Sequence, residues 1–596
     1  MAGDGAERAL AAAATDAAAA LLDELVRRGV ADVVVSPGSR SQALALVAAA
    51  LERAGRVRLH VRIDERVAGF TALGLARETR TPAIVLCTSG TAAANLLPAA
   101  LEAHHAGVPL LLLTADRPPE LRGVGANQTT RQPGMFAPNV RFEADAPVPE
   151  ETDATGDGEQ TAMLRGLAAE AFSAALGAGA RSAGPVHVNL PYREPLAGEL
   201  PAWLAAPASA PEPAEPAFDD AVVSGALYQG GGGIGSADVA LETDAEPHVL
   251  GRGPRTIVVA GADAGPDAET VAHEGGWPLV AEIVSGARFG RNLVPAYRAL
   301  LRDPALGGRV ERVVVLGHPT LSRETVALLS DPEVEVVAVR GPGEPLGLNG
   351  ATLAVDAVAV AAGVPDREWL GAWLRAGRAA SVDLDPPAPD LDGLSSAVAR
   401  DRLDAVAAEL ATVRRPIDRA ALVDAVWRAT WPHDRLVFGS SRLVRVADDV
   451  LPGKKVPVHA NRGLAGIDGT IATATGIALA SQAGGRPGVT RVVLGDLALL
   501  HDVGALLLPA RETEPRLQVV VGNDGGGTIF DTLEVAAVAG EDDFDRVLHT
   551  PQSVRLAELA TAYGWEHTRV TTRSALDQAL VAPVGGRQLI EVPLSR

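Results

Sequence analysis

The sequence has 596 residues, too many for one hydrophobic core, and predicts several domains of ordinary size. Hydrophobic residues make up 47% and charged residues 21%, the composition of a folded chain rather than a disordered one. With 53 Lys+Arg against 74 Asp+Glu the net charge is -21, which disfavours a nucleic-acid backbone or an anionic membrane as partner, so neither is expected.

The stretch from Glu7 to Arg28 is alanine-rich but punctuated by Asp16, Asp23 and Glu24, and reads as an amphipathic helix. It lacks the basic start and unbroken apolar run of a signal peptide. No stretch approaches the roughly 18 uninterrupted apolar residues that a membrane helix needs, so a cytoplasmic location is expected. Beyond it, helical patterns alternate with short Val/Ile/Leu runs, the mark of parallel sheets covered by helices. Strands are expected at 33–35, 83–87, 109–114, 186–190, 256–260, 313–316, 436–438, 491–494 and 518–521. Each ends in a turn rich in Gly, Ser, Asp or Asn, and ligands of open α/β sheets bind at such strand ends. The expected fold class is α/β, with three doubly wound parallel-sheet domains.

Cys87, the only cysteine, falls in the 83–87 run and is expected to be a small core residue rather than a nucleophile. A single cysteine also excludes an intrachain disulfide and a cysteine-based zinc site. Lys454 and Lys455 are the only lysines and stand in a turn-like segment, 451–455. Schiff-base chemistry needs a desolvated lysine and a P-loop needs one after its glycines; neither pattern is present.

Two breaks divide the chain. Residues 201–253 are rich in Ala, Pro and Gly and include a glycine run at 230–235. That run follows no strand, so it reads as flexible linker rather than a dinucleotide fingerprint. Residues 383–392 are Asp/Pro-rich and precede a helical stretch leading to Pro416. The expected organisation is unit one at 1–200, a linker at 201–253, a central unit at 254–382, a linker at 383–415 and unit three at 416–596. Units one and three share a layout. In unit one a helix at 65–77, a strand at 83–87, the turn Thr88-Ser89-Gly90-Thr91, a helix through 103 and a strand at 109–114 follow one another. In unit three the succession is a helix at 467–482, a strand at 491–494, the turn Gly495-Asp496-Leu497, a helix through 507 and a strand at 518–521.

The strongest local motif is Gly495-Asp496-Leu497 after one strand and Gly522-Asn523-Asp524-Gly525-Gly526-Gly527 after the next. Asp496 and Asn523 are 27 positions apart, about one strand–helix–strand crossover, so the turns should lie side by side at one sheet edge. A carboxylate, an amide oxygen and free carbonyls suit a small hard cation that keeps phosphate oxygens among its ligands. The neighbouring glycines let backbone approach a diphosphate. Taken alone, a Gly-Asp pair at a strand end is also an ordinary turn or helix cap. Glu65, in Asp64-Glu65-Arg66-Val67-Ala68-Gly69-Phe70, is by itself explained as a first-turn acid behind an Asp64 cap.

The spacing resembles the diphosphate motif of thiamine-diphosphate enzymes, with Leu497 where many members carry a third Gly. Further strings narrow the resemblance: Ser36-Pro37-Gly38-Ser39-Arg40, Ala115-Asp116-Arg117-Pro118-Pro119-Glu120-Leu121, Gly125-Ala126-Asn127-Gln128, Arg131-Gln132-Pro133-Gly134, Gly439-Ser440-Ser441 with Arg445, and Asn461-Arg462-Gly463 with Gly466-Ile467-Asp468-Gly469. Together they resemble the 2-succinyl-5-enolpyruvyl-6-hydroxy-3-cyclohexene-1-carboxylate synthases. The resemblance covers units one and three and is thin in the central unit, where Gly317-His318-Pro319-Thr320-Leu321-Ser322-Arg323 is among the best matches.

This resemblance implies a thiamine-diphosphate-enzyme architecture in the order pyrimidine-binding, central and diphosphate-binding. It implies a transferase, a carboligase of menaquinone biosynthesis. Such an enzyme decarboxylates 2-oxoglutarate and adds the succinyl-semialdehyde carbanion in conjugate fashion to isochorismate. Glu65 would be the catalytic carboxylate on the cofactor's pyrimidine. Asp496, Asn523 and the carbonyl of Gly525 would hold Mg2+ or Mn2+. Ser89, Gly90, Ser440, Ser441, Gly495, Leu497 and Asp524 would complete the cofactor site, with Ile529 and Phe530 walling the thiazolium. Arg40, Arg117, Arg323, Arg445 and Arg462 would meet substrate carboxylates, whose geometry guanidinium matches bidentately. Ser39, Asn127, Gln128, Ser441 and Ile467 would complete that lining. One residue more than expected separates Gly525 from Ile529, which leaves Thr528 without a role. In the enzymes it resembles, two subunits complete each site, so a homodimer is the minimum unit and a homotetramer stays open. The central unit starts with a Rossmann-like strand but lacks the glycine fingerprint, so no nicotinamide is expected there. Two readings stay open beside this one: another thiamine-diphosphate decarboxylase or carboligase, and a non-catalytic binding protein on the same fold.

Overall fold

The computed structural model describes residues 12–150, 158–178, 182–205, 246–385 and 387–596. Most of the expected 201–253 linker, its glycine run included, lies outside the described residues. Unit one carries a six-stranded sheet in the spatial order Arg58–Val61, Asp32–Val35, Ala83–Cys87, Leu110–Asp116, Pro185–Pro191, Phe142–Asp145. Unit three carries another, in the order Val458–His459, Arg435–Phe438, Thr490–Gly495, Leu517–Asn523, Arg587–Pro593, Glu566–Arg569. Every neighbouring pair in both sheets is parallel. Counted along each unit, both sheets run 2-1-3-4-6-5, so the likeness in layout extends to topology. The central sheet has five parallel strands, Leu353–Val355, Glu335–Val339, Arg312–Leu316, Thr256–Ala260 and Leu279–Ala281. His248–Leu250 and Val358–Val360 form a separate parallel pair.

Central strands such as Ala83–Cys87, Thr256–Ala260 and Leu517–Asn523 are buried along nearly their whole length, which is why they read as continuous apolar runs. Cys87 is fully buried in its strand and its thiol is pushed up by that burial, in keeping with a core role. The N-terminal helix spans Ala13–Arg27, and its buried Asp23 pairs with Arg56 at 2.7 Å. Among the described residues, no helix is long and apolar enough to cross a membrane. The segment 383–415 contains the helices Leu391–Ser395 and Ala399–Val413.

Units one and three meet through two buried helices, Glu65–Thr79 and Thr470–Ser481. Their backbones touch at glycines. A Cβ on Gly74 would fall 2.0 Å from the Thr473 carbonyl oxygen, and one on Gly476 2.1 Å from that of Thr71. Three helix expectations need correction. The helix expected at 467–482 starts at Thr470, because Gly469 turns the chain with φ +65° and leaves Ile467 in the preceding loop. The helix expected through 103 is two helices, Thr91–Ala94 and Leu97–Ala106, the second restarting at Pro98 in its first turn. The helix expected through 507 ends at His501 and passes into a 3-10 turn, Val503–Leu506.

Candidate active site

The register of unit three brings the two sequence turns together. Gly495 and Gly522 are partners across adjacent parallel strands, so Asp496 and Asn523 emerge at the same sheet edge. Gly525 and Gly526 take φ +72° and +138°, and a Cβ on Gly526 would lie 2.3 Å from the His549 carbonyl, so the loop requires glycine there. Asn523 Nδ2 donates to Glu591 Oε1 at 2.9 Å, which turns its Oδ1 toward the glycine loop, where it accepts from Gly525 N at 3.3 Å. Thr528, without a role in the sequence, ties this loop down. Its hydroxyl donates to Asp524 Oδ2, and its carbonyl accepts from Arg442 Nη1 at 3.2 Å. Arg419 donates to the same Asp524 oxygen at 2.7 Å.

Asp496 is buried, and burial together with the neighbouring Asp524 carboxylate pushes its carboxyl up to about 6, against the backbone N–H groups around it. Among the described residues no Arg, Lys or His pairs with it. One buried carboxylate, an amide oxygen and nearby carbonyls form an oxygen-only donor set that fits a small divalent cation sharing phosphate oxygens. The Gly525 carbonyl accepts from Arg596 Nη2 at 2.7 Å, so a cation at that oxygen would share or displace this guanidinium. Leu497, Ile529 and Phe530 are half-buried around the edge.

Arginines gather beside it. Ser441 caps the helix Arg442–Val450 through Leu443 N, and its Cβ lies 3.9 Å from where a Cβ on Gly495 would be. Arg445 Nη1 donates back to the Ser441 carbonyl at 3.3 Å. Burial lowers the pKa of Arg445, and so do the charges of Arg298 and Arg323. Arg462 is buried, and its pKa is lowered first by that burial and also by Arg445. It donates through Nη1 to Ser440 Oγ at 3.4 Å. Arg323 is exposed and pairs with Glu534 at 2.8 Å. These like charges are held together from two units, the arrangement that a polyanionic ligand relieves. Ile467 stands 38% exposed in the loop after Arg462.

Unit one assembles a second group at its own strand ends. Arg117 Nη1 donates to Ser89 Oγ and to the Gln128 carbonyl, and Gln128 Nε2 donates to the Ser89 carbonyl at 2.9 Å. Arg117 has its pKa lowered by burial and then by Arg40, which itself donates to the Tyr192 carbonyl at 3.1 Å. Ser39 and Asn127 are exposed at the rim. Gly90 has φ +83°, and its N–H donates to Gln132 Oε1 at 2.9 Å. Buried Gln132, within the Arg131-Gln132-Pro133-Gly134 motif, has no role assigned from sequence. It anchors this turn to Asn189 and Ala115.

Glu65 opens the helix Glu65–Thr79, where Asp64 already supplies the cap by accepting from Arg66 N at 2.9 Å and Val67 N at 3.4 Å. Among the described residues the Glu65 side chain has no partner beyond its own backbone N–H. Burial raises its pKa, and the Asp64 charge adds to that effect. Within the chain the first turn of its helix also meets unit three at His501, whose carbonyl accepts from Arg66 Nη2 at 2.8 Å. His104, His105 and His318, given no catalytic role from sequence, line a cavity of about 510 Å³ with Arg141 and Arg340.

Residues 15–135 match the family described as the thiamine pyrophosphate enzyme, N-terminal TPP binding domain. Benzoylformate decarboxylase from Polynucleobacter necessarius superposes with a TM-score of 0.62 at 15% identity, covering 97% of this chain and 98% of that one, a likeness of fold alone. The 2-succinyl-5-enolpyruvyl-6-hydroxy-3-cyclohexene-1-carboxylate synthase of Leifsonia xyli subsp. xyli is 54% identical over 98% of this chain and 97% of its own. The enzyme of that name from Clavibacter michiganensis subsp. michiganensis is 52% identical over 98% of this chain and 96% of its own. With this identity over nearly its whole length, the chain belongs to the 2-succinyl-5-enolpyruvyl-6-hydroxy-3-cyclohexene-1-carboxylate synthase family.

Proposed function

We propose that this chain decarboxylates 2-oxoglutarate with thiamine diphosphate and adds the remaining four-carbon unit to isochorismate, the carboligation that enters menaquinone biosynthesis. The observation that carries the reading is the arginine group beside the Asp496–Asn523 edge, since both substrates are dicarboxylates. Fixed guanidinium charges in a partly buried site bind carboxylates strongly and bidentately.

Bound thiamine diphosphate supplies the electron sink for loss of the carboxyl group. Asp496, Asn523 and the Gly525 carbonyl would hold Mg2+ or Mn2+, and Gly495, Leu497, Asp524, Ser440 and Ser441 would line the diphosphate. Ile529 and Phe530 keep water from the reacting carbon. Arg323, Arg445 and Arg462 bind carboxylates from one side. Ser39, Arg40, Arg117, Asn127 and Gln128, with Ser89, Gly90 and Glu65, act from the other, Glu65 holding a proton at the cofactor's ring nitrogen. These two groups belong to one site in a homodimer, unit one of one copy facing unit three of the other. The solitary Glu65 carboxyl supports that arrangement.

Arg445→Ala is expected to raise KM for at least one of the two substrates by about 10- to 100-fold, the loss of one charge-assisted contact of about 1.5–3 kcal/mol. Steady-state kinetics on each substrate check this. An unchanged KM for both would remove Arg445 from the site.

A further inference from the structure

We propose that Glu282 is a positioning residue for the substrate-binding arginine Arg462, acting through Thr320 of the central unit. The proposal rests on the role given to Arg462 above. Glu282 follows the short strand Leu279–Ala281 and is 1% exposed. Its Oε1 accepts from two consecutive backbone donors, Thr320 N at 2.8 Å and Leu321 N at 2.6 Å. Those bonds fix the turn that follows Gly317, where the chain takes φ +68°. The turn in turn fixes Arg462. Thr320 Oγ1 accepts from Arg462 Nε at 2.9 Å and from Nη2 at 2.7 Å, and the Thr320 carbonyl accepts from Nη2 at 3.2 Å. The guanidinium plane is thereby set by a neutral partner, and Nη1 keeps only the long contact to Ser440 Oγ at the diphosphate edge.

The backbone that carries Arg462 is clamped from unit one in the same manner. Buried Glu102 accepts from Gly463 N at 2.8 Å and Leu464 N at 2.9 Å. Two buried acids from two units thus bracket one arginine while neither forms an ion pair with it. For Glu282 the physical reason is its surroundings. Its Oε2 is buried without a partner, and burial together with Asp448 raises the carboxyl's pKa, against the Leu321 and Thr320 N–H groups and Arg462, which lower it. Glu282 Oε1 is taken up by the two backbone N–H groups of the turn rather than by the guanidinium, which leaves the Arg462 charge available for a substrate carboxylate.

The test is steady-state kinetics on the holoenzyme with thiamine diphosphate and Mg2+, for Thr320→Val, Glu282→Ala and Glu282→Gln. Thr320→Val removes the hydroxyl acceptor and keeps the side chain's shape. It is expected to raise KM for at least one dicarboxylate by about 10-fold, with kcat within about threefold of wild type. Glu282→Ala is expected to do the same. Glu282→Gln, which retains a neutral acceptor for both N–H groups, is expected to restore wild-type KM. A KM in Thr320→Val within twofold of wild type would overturn the proposal, and so would a Gln variant as impaired as the Ala variant. Should Glu282→Ala fail to fold, Thr320→Val and Glu282→Gln decide alone. Wild-type enzyme without saturable turnover of 2-oxoglutarate would instead overturn the reading beneath the proposal, and the proposal with it.

Discussion

Replacing Glu65 with Gln is expected to lower kcat for carboligation by about 10²- to 10⁴-fold, the range a positioned proton-transferring group contributes. The substitution is nearly isosteric, and the cap of the Glu65–Thr79 helix comes from Asp64, so the fold has no stake in the Glu65 charge. What the amide removes is an ionisable oxygen that is half-buried with no partner in its own chain beyond the Glu65 N–H, and whose pKa is raised by burial. A carboxyl held toward neutrality can keep and release a proton at a cofactor nitrogen; an amide cannot. The stability consequence has the opposite sign. A carboxyl with a raised folded-state pKa makes the fold less stable as pH rises from its unfolded value through its folded one. The apo Gln variant is therefore expected to melt at or slightly above wild type at pH 8. A melting temperature clearly below wild type would show that Glu65 is structural, and residual turnover near wild type would remove it from the chemistry.

Asp496→Asn carries the second large effect and a sign reversal. In the apo protein Asp496 and Asp524 are neighbouring carboxylates, one of them buried, and neutralising Asp496 relieves both desolvation and repulsion. The apo variant is expected to gain about 1 kcal/mol, a modest fraction of what a buried unpaired charge costs. With Mg2+ and thiamine diphosphate present the order inverts, because the variant has lost the one charged ligand of the proposed cation site. Loss even of an outer partner of a metal ligand costs about 10–100-fold, so losing the ligand should weaken cofactor binding by at least about 100-fold. Titration of thiamine diphosphate at fixed Mg2+, with melting curves of apo and loaded protein, reads both halves. Unchanged cofactor affinity would place the cation elsewhere.

How much of this was legible follows from burial. Strands covered on both faces, such as Leu110–Asp116 and Leu517–Asn523, announce themselves as apolar runs. The strands at sheet edges do not. Arg58–Val61 and Glu566–Arg569 are short and mix charged and exposed residues with few buried ones, and Val458–His459 is two residues long. The Asp496 to Asn523 spacing was informative because one crossover has a narrow range of lengths, and the register sets the two turns side by side. Helix ends were less legible. Gly469 and Pro98 act locally, and nothing in the surrounding periodicity predicts where they cut. On the arginine side, Arg445 and Arg462 could be picked out by their motifs. Arg298, whose charge bears on Arg445, stands in the short helix Tyr297–Leu301 and no motif points to it. Glu282 and Gln132 escaped for a similar reason: each works by accepting from backbone N–H groups of a distant turn, an arrangement visible only once the chain is folded.

CO2 release from 2-oxoglutarate, followed with thiamine diphosphate and Mg2+ in the presence and absence of isochorismate while isochorismate itself is monitored, tests the proposed carboligation most directly. The predicted result is one CO2 released for each isochorismate consumed, with little release when isochorismate is omitted. CO2 release that is indifferent to isochorismate, or no turnover of 2-oxoglutarate at all, would contradict it.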